Sequence, residues 1–341
     1  MVADWPFGPW LNLVDLHSGC TVVPTPTSRP VTIHEGPFGH PPRTQRRDYG
    51  LVIGQVLWRM RFDLLLLIAM VLLVISNRVP ELWFQSSAVI RILGIAVAIF
   101  IGFRNTQAIG RWWEARKLWG SMVNVSRNWH DNLHSLLTPQ QLRSRRGQQL
   151  MRLQVAMVWQ LNFELRNYWH RDLRELQDAL LASLRLSSTT TLRSLSARRA
   201  ALVRDLHDDQ WVDGWGRQQL MTVANACMDA VGGLERIRNT PLPASYDVFV
   251  RLINWVFGWE LLVEFHRAEM GWPTVLVGAG IFSCFLMAER IGAYVEGPFD
   301  ADGSSFSLPL NGICLTISRQ LIGDEVDHLL HLESKDPVRW T

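Results

Sequence analysis

Residues 88–120 read AVIRILGIAVAIFIGFRNTQAIGRWWEARKLWG, an apolar segment that continues without a break into one rich in Arg, Trp and Glu. Almost every residue from Ala88 to Phe103 is apolar. The polar and charged residues that follow it are Arg104, Asn105, Arg111, Glu114, Arg116 and Lys117. Because charge is costly in lipid and well solvated in water, this change predicts that a membrane span ends near Phe103 while the helix itself continues.

One side of this helix carries large apolar residues, and the neighbouring side carries small ones. Ile95, Ile99 and Phe103 recur at every fourth position, so they project from one side of a helix. The small residues of the neighbouring side are Gly94, Ala98 and Gly102. Small residues at this spacing let a second helix approach closely inside a membrane. The small side is therefore predicted to pack against a helix, and the large side is open to two interpretations, ordinary packing or a pore lining.

The composition indicates a protein with a membrane part and a large aqueous part. Of the 341 residues, 48% are hydrophobic, and the mean hydropathy is +0.05, between the values expected for soluble enzymes and for transporters. The formal net charge of +3 is too small to imply a nucleic-acid partner. The four cysteines are Cys20, Cys227, Cys284 and Cys314. Their spacing fits no metal-ligand motif, so we expect unpaired thiols in a reducing compartment and no structural zinc.

Four apolar segments are predicted to cross the membrane. They are about 62–75, 88–103, 248–263 and 272–288. The first is shorter than the roughly 20 residues that a bilayer requires, but the apolar run LVIGQVL precedes it. The third contains Arg251 and Glu260, which we expect to face a bundle interior or water, because charge facing lipid is costly.

The distribution of basic residues predicts the orientation of these spans. Those before the first span are Arg43, Arg46, Arg47, Arg59 and Arg61, and those after the second are Arg104, Arg111, Arg116, Lys117 and Arg127. The loop between the two spans has only Arg78 and Arg91. Because basic loops stay on the cytoplasmic side, both termini and residues 104–245 and 296–341 are predicted to be cytosolic.

Residues 1–46 contain many Pro and Gly and no signal-peptide pattern, so they are predicted to form a disordered N-terminal extension.

The long segment between the second and third spans is predicted to be helical. Apolar residues recur at three- and four-residue spacing in 150–165, 172–184, 194–206 and 218–231, and the runs SSTTT and GWG separate some of these segments. Strand patterns are almost absent, so the predicted fold class is all-α, with four transmembrane helices continuous with a cytosolic helical bundle.

His130 and His134 lie one turn apart, but Asp131 stands where a zinc-protease helix has Glu and no third ligand is evident. No metal site is expected there.

Three separated blocks resemble the bestrophin family of channels, and specifically its bacterial branch. They are GFRNTQAIGRWWEARKLWGSMVNVSRNW at 102–129, GGLERIRNTPLPASY at 232–246 and EGPFDADG at 296–303. The blocks occur in the family's order, and the resemblance runs from about Arg47 to the C-terminus. It implies an ion-channel subunit, without enzymatic activity, that assembles as a pentamer around a central pore.

The resemblance also implies which residues narrow the pore. In bestrophins, the constricting side chains of the second span lie eight, twelve and sixteen residues before the Arg-Trp-Trp motif. Counted back from Arg111, these positions are Phe103, Ile99 and Ile95, the three large residues of the stripe described above. The resemblance therefore favours the pore-lining interpretation of the stripe. Gly94, Ala98 and Gly102 would then support helix packing beside the pore.

Two further expectations follow from the resemblance. A second, cytosolic constriction lies in the helix ahead of the second block, and counting back from Pro243 without gaps gives Trp215. In animal members, an acidic run after a Pro-Phe pair helps to hold calcium. Here the only carboxylates after Phe299 in that block are Asp300 and Asp302, which are too few for a strong calcium site, so no cofactor and no calcium dependence are expected.

The expected function is passive conduction of small monovalent ions in the bacterial inner membrane. Arg91 lies one turn before Ile95 on the same side, so a ring of Arg91 at the outer mouth would concentrate anions such as chloride. One alternative is a monovalent-cation channel, for sodium, with the same fold. Another, from a different class, is a membrane-anchored helical scaffold without ion flux. The expected partners are other copies of the chain, the lipid bilayer and the conducted ions.

Overall fold

The computed structural model describes residues 49–76, 87–167, 171–267, 272–299 and 307–323, and the regular elements within these ranges are helical. In chain order they are α1 (Tyr49–Arg59), α2 (Arg61–Ile75), α3 (Ser87–Leu136), α4 (Pro139–Arg143), α5 (Arg145–Arg166), α6 (Arg171–Ser183), α7 (Leu192–Asp208), α8 (Gly214–Asn239), α9 (Ala244–Arg267), α10 (Trp272–Val295) and α11 (Leu310–Ile322). The predicted all-α fold class is confirmed. The predicted N-terminal extension, residues 1–46, lies outside the described residues.

The longest element, α3, connects the apolar and polar parts of the chain. It has 50 residues and is therefore about 75 Å long. It contains the whole predicted second span and continues through the Arg-Trp-Trp motif to Leu136. The predicted continuity past Phe103 is confirmed. α8 runs back along the polar part of α3, since a Cβ at Gly233 would lie 2.9 Å from the Leu118 side chain and one at Gly216 would lie 3.2 Å from Leu136.

Two separate hydrophobic cores lie along α3. Buried residues of the first, from α2, α3, α9 and α10, include Val74, Val97, Val250, Leu262, Val275 and Phe282. The second is formed by α3 with α5, α6, α7, α8 and α11, and Trp119, Trp129 and Trp159 are fully buried in it. The first core contains the four predicted spans, and the second contains the polar part of α3, the helices between α3 and α9, and α11.

The helices of the first core are apolar on their outer faces as well. On α2, the exposed fractions of Phe62, Leu65 and Leu72 are 69%, 61% and 63%. Apolar surface of this extent is normally covered by lipid or by another protein. By length and composition, α3 and α10 are suited to cross a bilayer. α2 has 15 residues, but its helical hydrogen bonding continues backwards into α1, since the Met60 amide donates to the Val56 carbonyl at 2.9 Å.

The four predicted spans correspond to helices. α2 coincides with the predicted 62–75, α9 contains 248–263, and α10 extends past the predicted end at residue 288 to Val295. Arg251 and Glu260 of α9, both expected to face a bundle interior or water, differ in burial, since the Arg251 side chain is 48% exposed. Arg251 approaches Asp63 of α2 to 3.5 Å, and Glu260 is buried.

The prediction that GWG separates two helices was wrong. These residues form the first turn of α8, where the Asp213 carboxylate accepts a hydrogen bond from the Gly216 amide at 2.7 Å. An Asp at this capping position satisfies an amide that has no partner within the helix, which offsets the poor helix propensity of Gly. The run SSTTT does lie between α6 and α7, and Thr191 caps α7.

The cysteines of the described part are unpaired, as predicted. Cys227 and Cys314 are buried, Cys284 is exposed, and all three are free thiols. Burial raises the pKa of the Cys314 thiol, so this side chain stays protonated and unreactive. Cys20 lies outside the described residues.

The contact between α9 and α10 requires glycine at position 258. A Cβ there would lie 2.2 Å from Cζ of Phe282, whose ring is fully buried and has no room to withdraw. We expect Gly258→Ala to lower the free energy of unfolding by about 1–3 kcal/mol, as other overpacked cores do. Thermal unfolding of the detergent-purified protein measures this.

Gly280→Ala is the matched control, because no atom lies within 4 Å of a Cβ at that position of α10. We expect its unfolding temperature to equal or exceed that of the unmodified protein, since alanine favours the helix. Equal losses in both variants would contradict the close approach of α9 to Phe282.

Candidate functional site

The large apolar residues of the α3 stripe do not belong to the core of the chain. The exposed fractions of Ile95, Ile99 and Phe103 are 63%, 52% and 63%. On the opposite side of the same helix, Val97 and Ile101 are only 0% and 4% exposed. The stripe therefore has no packing role within a single chain, and it is available to a pore, to lipid or to a neighbouring subunit.

The small residues of α3 are only partly covered. A Cβ at Gly94 would lie 2.9 Å from the Phe257 ring, so the missing side chain lets α9 approach α3 there. Ala98 and Gly102 are exposed, and no atom lies within 4 Å of a Cβ at Gly102. One end of this side is therefore used within the chain, and the rest is free for a helix of another subunit.

Arg91 stands at the start of the stripe. Its side chain is exposed, and its Nε donates to the Ser87 carbonyl at 3.2 Å. This hydrogen bond holds the guanidinium along the first turn of α3. The charge lies on the same side of the helix as Ile95, as predicted from their spacing.

At the other end of the stripe, α3 is held by a buried arginine. Arg104 is 2% exposed and directly follows Phe103. Its guanidinium donates to the Glu289 carbonyl at 2.9 Å and to the Glu289 carboxylate at 3.3 Å, and it also pairs with Asp247. A carboxylate oxygen of Glu296 lies 3.8 Å away. Four partially or fully desolvated charges thus join α3, α9 and the C-terminal end of α10.

The same network extends to α2. Asp63 accepts a hydrogen bond from Arg290 at 2.5 Å and lies 3.5 Å from Arg251, while Arg290 approaches Glu289 to 3.5 Å. Each of the helices α2, α3, α9 and α10 therefore contributes a charge. This network was not predicted from the sequence. The sequence does, however, place the carboxylates of Asp63 and Glu289 next to long apolar runs, where a charge needs an internal partner.

The network determines which side of α3 faces outwards. Asn105 donates to the Ala288 carbonyl at 3.0 Å, and a Cβ at Gly292 would lie 1.9 Å from the Asn105 oxygen, so α10 touches α3 at this level. Because Arg104 and Asn105 point towards α10, Phe103 is directed away from it. The fixed rotation places the stripe on the outside of the chain.

The Arg-Trp-Trp-Glu motif joins α3 to neighbouring helices. Arg111 donates to the carbonyl oxygens of Ile237, Thr240 and Glu296, the last at 3.2 Å. A cation at the C-terminal end of α8 is favoured by the helix dipole. Glu114 pairs with Arg236 at 2.5 Å, and because the two side chains are 48% and 65% exposed, this is a surface pair.

Trp215 lies at the end of the bundle farthest from the stripe. It is in the first turn of α8, and 77% of its surface is exposed. Since α8 runs antiparallel to α3, this turn lies beside Leu136, at the end of α3. A large exposed indole at that end is compatible with a cytosolic aperture between subunits, which remains a prediction.

The histidine pair forms a small cluster on α3. The rings of His130 and His134 are 4.2 Å apart, and Asp131 lies 3.0 Å from His130. Burial and the neighbouring His130 lower the pKa of His134, against the opposing effect of Asp131. No group of three or more metal-ligating side chains occurs in the part of the chain that the structure describes. Asp300 and Asp302 lie outside the described residues.

Comparisons with known proteins agree with this architecture. The model of the family described as "Bacterial/Fungal Bestrophin protein" matches residues 41–322. A voltage-dependent anion channel-forming protein of Ralstonia nicotianae is 30% identical over 241 residues, which are 68% of this chain and 76% of the relative. The Escherichia coli K12 relative of the same description, YneE, is 28% identical over 68% of this chain and 74% of its own. The crystal structure of a bacterial bestrophin homologue from Klebsiella pneumoniae superposes with a TM-score of 0.65 at 26% identity, covering 77% of this chain and 97% of that chain.

Proposed function

The chain belongs to the bacterial and fungal bestrophin family, and we propose that it is the subunit of a channel that conducts small monovalent anions. The observation that carries this proposal is the exposed stripe on α3. Three large side chains of a membrane helix point away from the core of the chain, and an internal charge network fixes the rotation of that helix. This face must therefore contact a surface outside the chain. A central axis shared by several subunits provides it.

The proposed pore is an apolar neck of Ile95, Ile99 and Phe103, one set from each subunit of a homopentamer. A ring of such side chains narrows the pathway and gates it by excluding water, since a passing ion would lose hydration without compensation. The exposed side of Ala98 and Gly102 would support close packing of neighbouring α3 helices beside the neck. The continuation of α3 and α8 forms the cytosolic vestibule, with Trp215 at its distal aperture.

The proposed selectivity depends on charge at the mouth, because an apolar neck does not favour either sign. Arg91, one turn outside Ile95, would form a ring of positive charges that raises the local anion concentration. The names of the relatives from Ralstonia nicotianae and Escherichia coli, which describe them as anion channel-forming, agree with this sign. We place the channel in the bacterial inner membrane with both termini in the cytoplasm, following the distribution of basic residues.

Purified protein in liposomes tests the proposal. We expect chloride flux that scales with the number of channels, and a reversal potential near the chloride equilibrium value under a salt gradient. A reversal potential near the sodium value would replace the proposal by a cation channel of the same fold. Sealed vesicles at high protein density would support a helical scaffold instead.

Charge reversal at the mouth tests the role of Arg91. We expect Arg91→Glu to lower the anion-to-cation permeability ratio by about tenfold, the lower range of electrostatic focusing effects, and to do so most strongly at low ionic strength. Arg91→Lys keeps the charge and is the control, so its ratio should stay close to that of the unmodified channel. A ratio unaffected by Arg91→Glu would remove this residue from the ion pathway.

A further inference from the structure

The junction between α1 and α2 presents an arginine between two exposed aromatic rings. The guanidinium of Arg61 lies 4.8 Å from the centre of the Trp58 ring and 4.6 Å from that of the Phe62 ring. Its Nη1 donates to the Trp58 carbonyl at 3.0 Å. Trp58 and Phe62 are 70% and 69% exposed, and Arg61 is exposed as well. These three side chains form a surface patch, called here the Arg61 patch, in which the cation is held in place.

The charge of Arg61 is not neutralised within the described part of the chain. The described contacts of its guanidinium are the Trp58 carbonyl and the two rings, and none is a carboxylate. Asp63, two residues further on, is buried, accepts a hydrogen bond from Arg290 at 2.5 Å and lies 3.5 Å from Arg251. Because two other arginines already share that carboxylate, an anion for Arg61 must come from outside the chain.

The contacts of α2 place the patch at the polar end of the membrane helices. Through Asp63, this level of α2 is joined to charged side chains of α9 and α10. At the end of α1, the guanidinium of Arg59 lies 4.9 Å from the centre of the Tyr294 ring, near the end of α10. Arginines beside Trp and Tyr are typical of the boundary between the hydrocarbon and the headgroups of a bilayer.

An apolar stripe of α2 continues from the patch. Phe62, Leu65 and Leu72 lie on the side of the helix that carries Arg61, and all three are more than 60% exposed. Ten residues separate Phe62 from Leu72, which corresponds to about 15 Å along the helix. This is half of the roughly 30 Å of a bilayer's hydrocarbon core. A cation followed by 15 Å of apolar surface matches a phospholipid, whose headgroup is followed by acyl chains one leaflet deep.

The position of α2 in the subunit favours lipid over a neighbouring copy of the chain. α2 packs against α9 and α10, and these two helices pack against α3. With α3 at a central axis, α2 lies on the outer side of the first core and faces the surrounding membrane. This step rests on the proposed function, whereas the contacts of Arg61 do not depend on it.

We propose that the Arg61 patch binds the headgroup of an anionic phospholipid, whose acyl chains lie along the stripe of Phe62, Leu65 and Leu72. A guanidinium matches the phosphate oxygens with paired hydrogen bonds. A basic residue at the membrane surface attracts a lipid of net negative charge, whereas the ammonium group of a zwitterionic lipid offsets this attraction. The exposed indole of Trp58 adds an amphipathic contact at the level of the headgroup.

Native mass spectrometry of the full-length, delipidated protein tests this, after incubation with equal amounts of phosphatidylglycerol and phosphatidylcholine. We expect phosphatidylglycerol to be retained preferentially, and Arg61→Ala to lower its retention about fivefold, the effect of one basic residue at an anionic membrane surface. Arg61→Lys keeps the charge but loses the paired hydrogen bonds, so its retention should be intermediate. Arg193→Ala is the matched control, because Arg193 is an exposed arginine of α7, a helix of the second core.

Equal retention of phosphatidylglycerol by Arg61→Ala and Arg193→Ala would overturn the proposal, as would equal retention of the two lipids by the unmodified protein. Since Arg61 is exposed, thermal unfolding of Arg61→Ala without added lipid should match that of the unmodified protein. An oligomer that dissociates in Arg61→Ala with unchanged lipid retention would assign the patch to a subunit contact instead. No ion flux is measured, so failure of the channel proposal would leave the lipid retention unchanged.

Discussion

Ile99→Ala, introduced in every subunit, is expected to raise single-channel conductance severalfold while the oligomer stays intact. The side chain is 52% exposed in the chain and lies in the middle of the stripe, away from Arg91 and Arg104. Shortening it removes no contact from the core of the subunit, but it widens the apolar ring and lowers the barrier to wetting. Planar-bilayer recording gives the conductance, and size-exclusion chromatography reports the oligomer.

The neighbouring Ile101 provides a matched control for this experiment. It has the same side chain two residues away but is 4% exposed, within the core that α3 shares with α9 and α10. We expect Ile101→Ala to cost about 2–5 kcal/mol of stability through the cavity it leaves, without any gain in conductance. If Ile99→Ala instead dissociates the oligomer and leaves current unchanged or lower, the stripe is a packing surface between subunits and the neck must be sought elsewhere.

The second large effect is expected at Arg104. Arg104→Met removes the positive charge from a site where Glu289 is 2% exposed and Asp247 is partly buried, so both carboxylates lose a cationic partner. Removing one member of a buried ion pair typically lowers the free energy of unfolding by about 3–5 kcal/mol. Denaturant unfolding in detergent should show this loss. Because the network sets the rotation of α3, the fraction of protein that assembles should fall as well.

Arg236→Ala is the control for the loss of an arginine in a surface pair. Its partner Glu114 lies at 2.5 Å, yet both side chains are largely exposed, so water replaces the lost interaction and the expected cost is below about 1 kcal/mol. Similar stabilities of Arg104→Met and Arg236→Ala would mean that the carboxylates around Arg104 are neutral or hydrated in the folded protein.

Several features of this protein were predictable from local sequence because they depend on nearest neighbours along the chain. The four apolar helices follow from long apolar runs, and the helices between α3 and α9 follow from apolar periodicity at three- and four-residue spacing, which any single helix expresses by itself. The blocks around Arg111, Pro243 and Phe299 were sufficient to indicate the family. The roles of Ile95, Ile99, Phe103 and Trp215 remain predictions, because a pore is formed between chains.

Other features required the tertiary structure because they join residues that the sequence separates. Arg104 and Glu289 are 185 positions apart, and nothing in the neighbourhood of either one identifies the other. Asp63 and Arg290 are likewise 227 positions apart. Local patterns indicated which faces are apolar and where charge interrupts them, since burial depends on hydropathy. Only the tertiary structure determines which charged side chains form pairs, because the pairing depends on the rotation and register of whole helices.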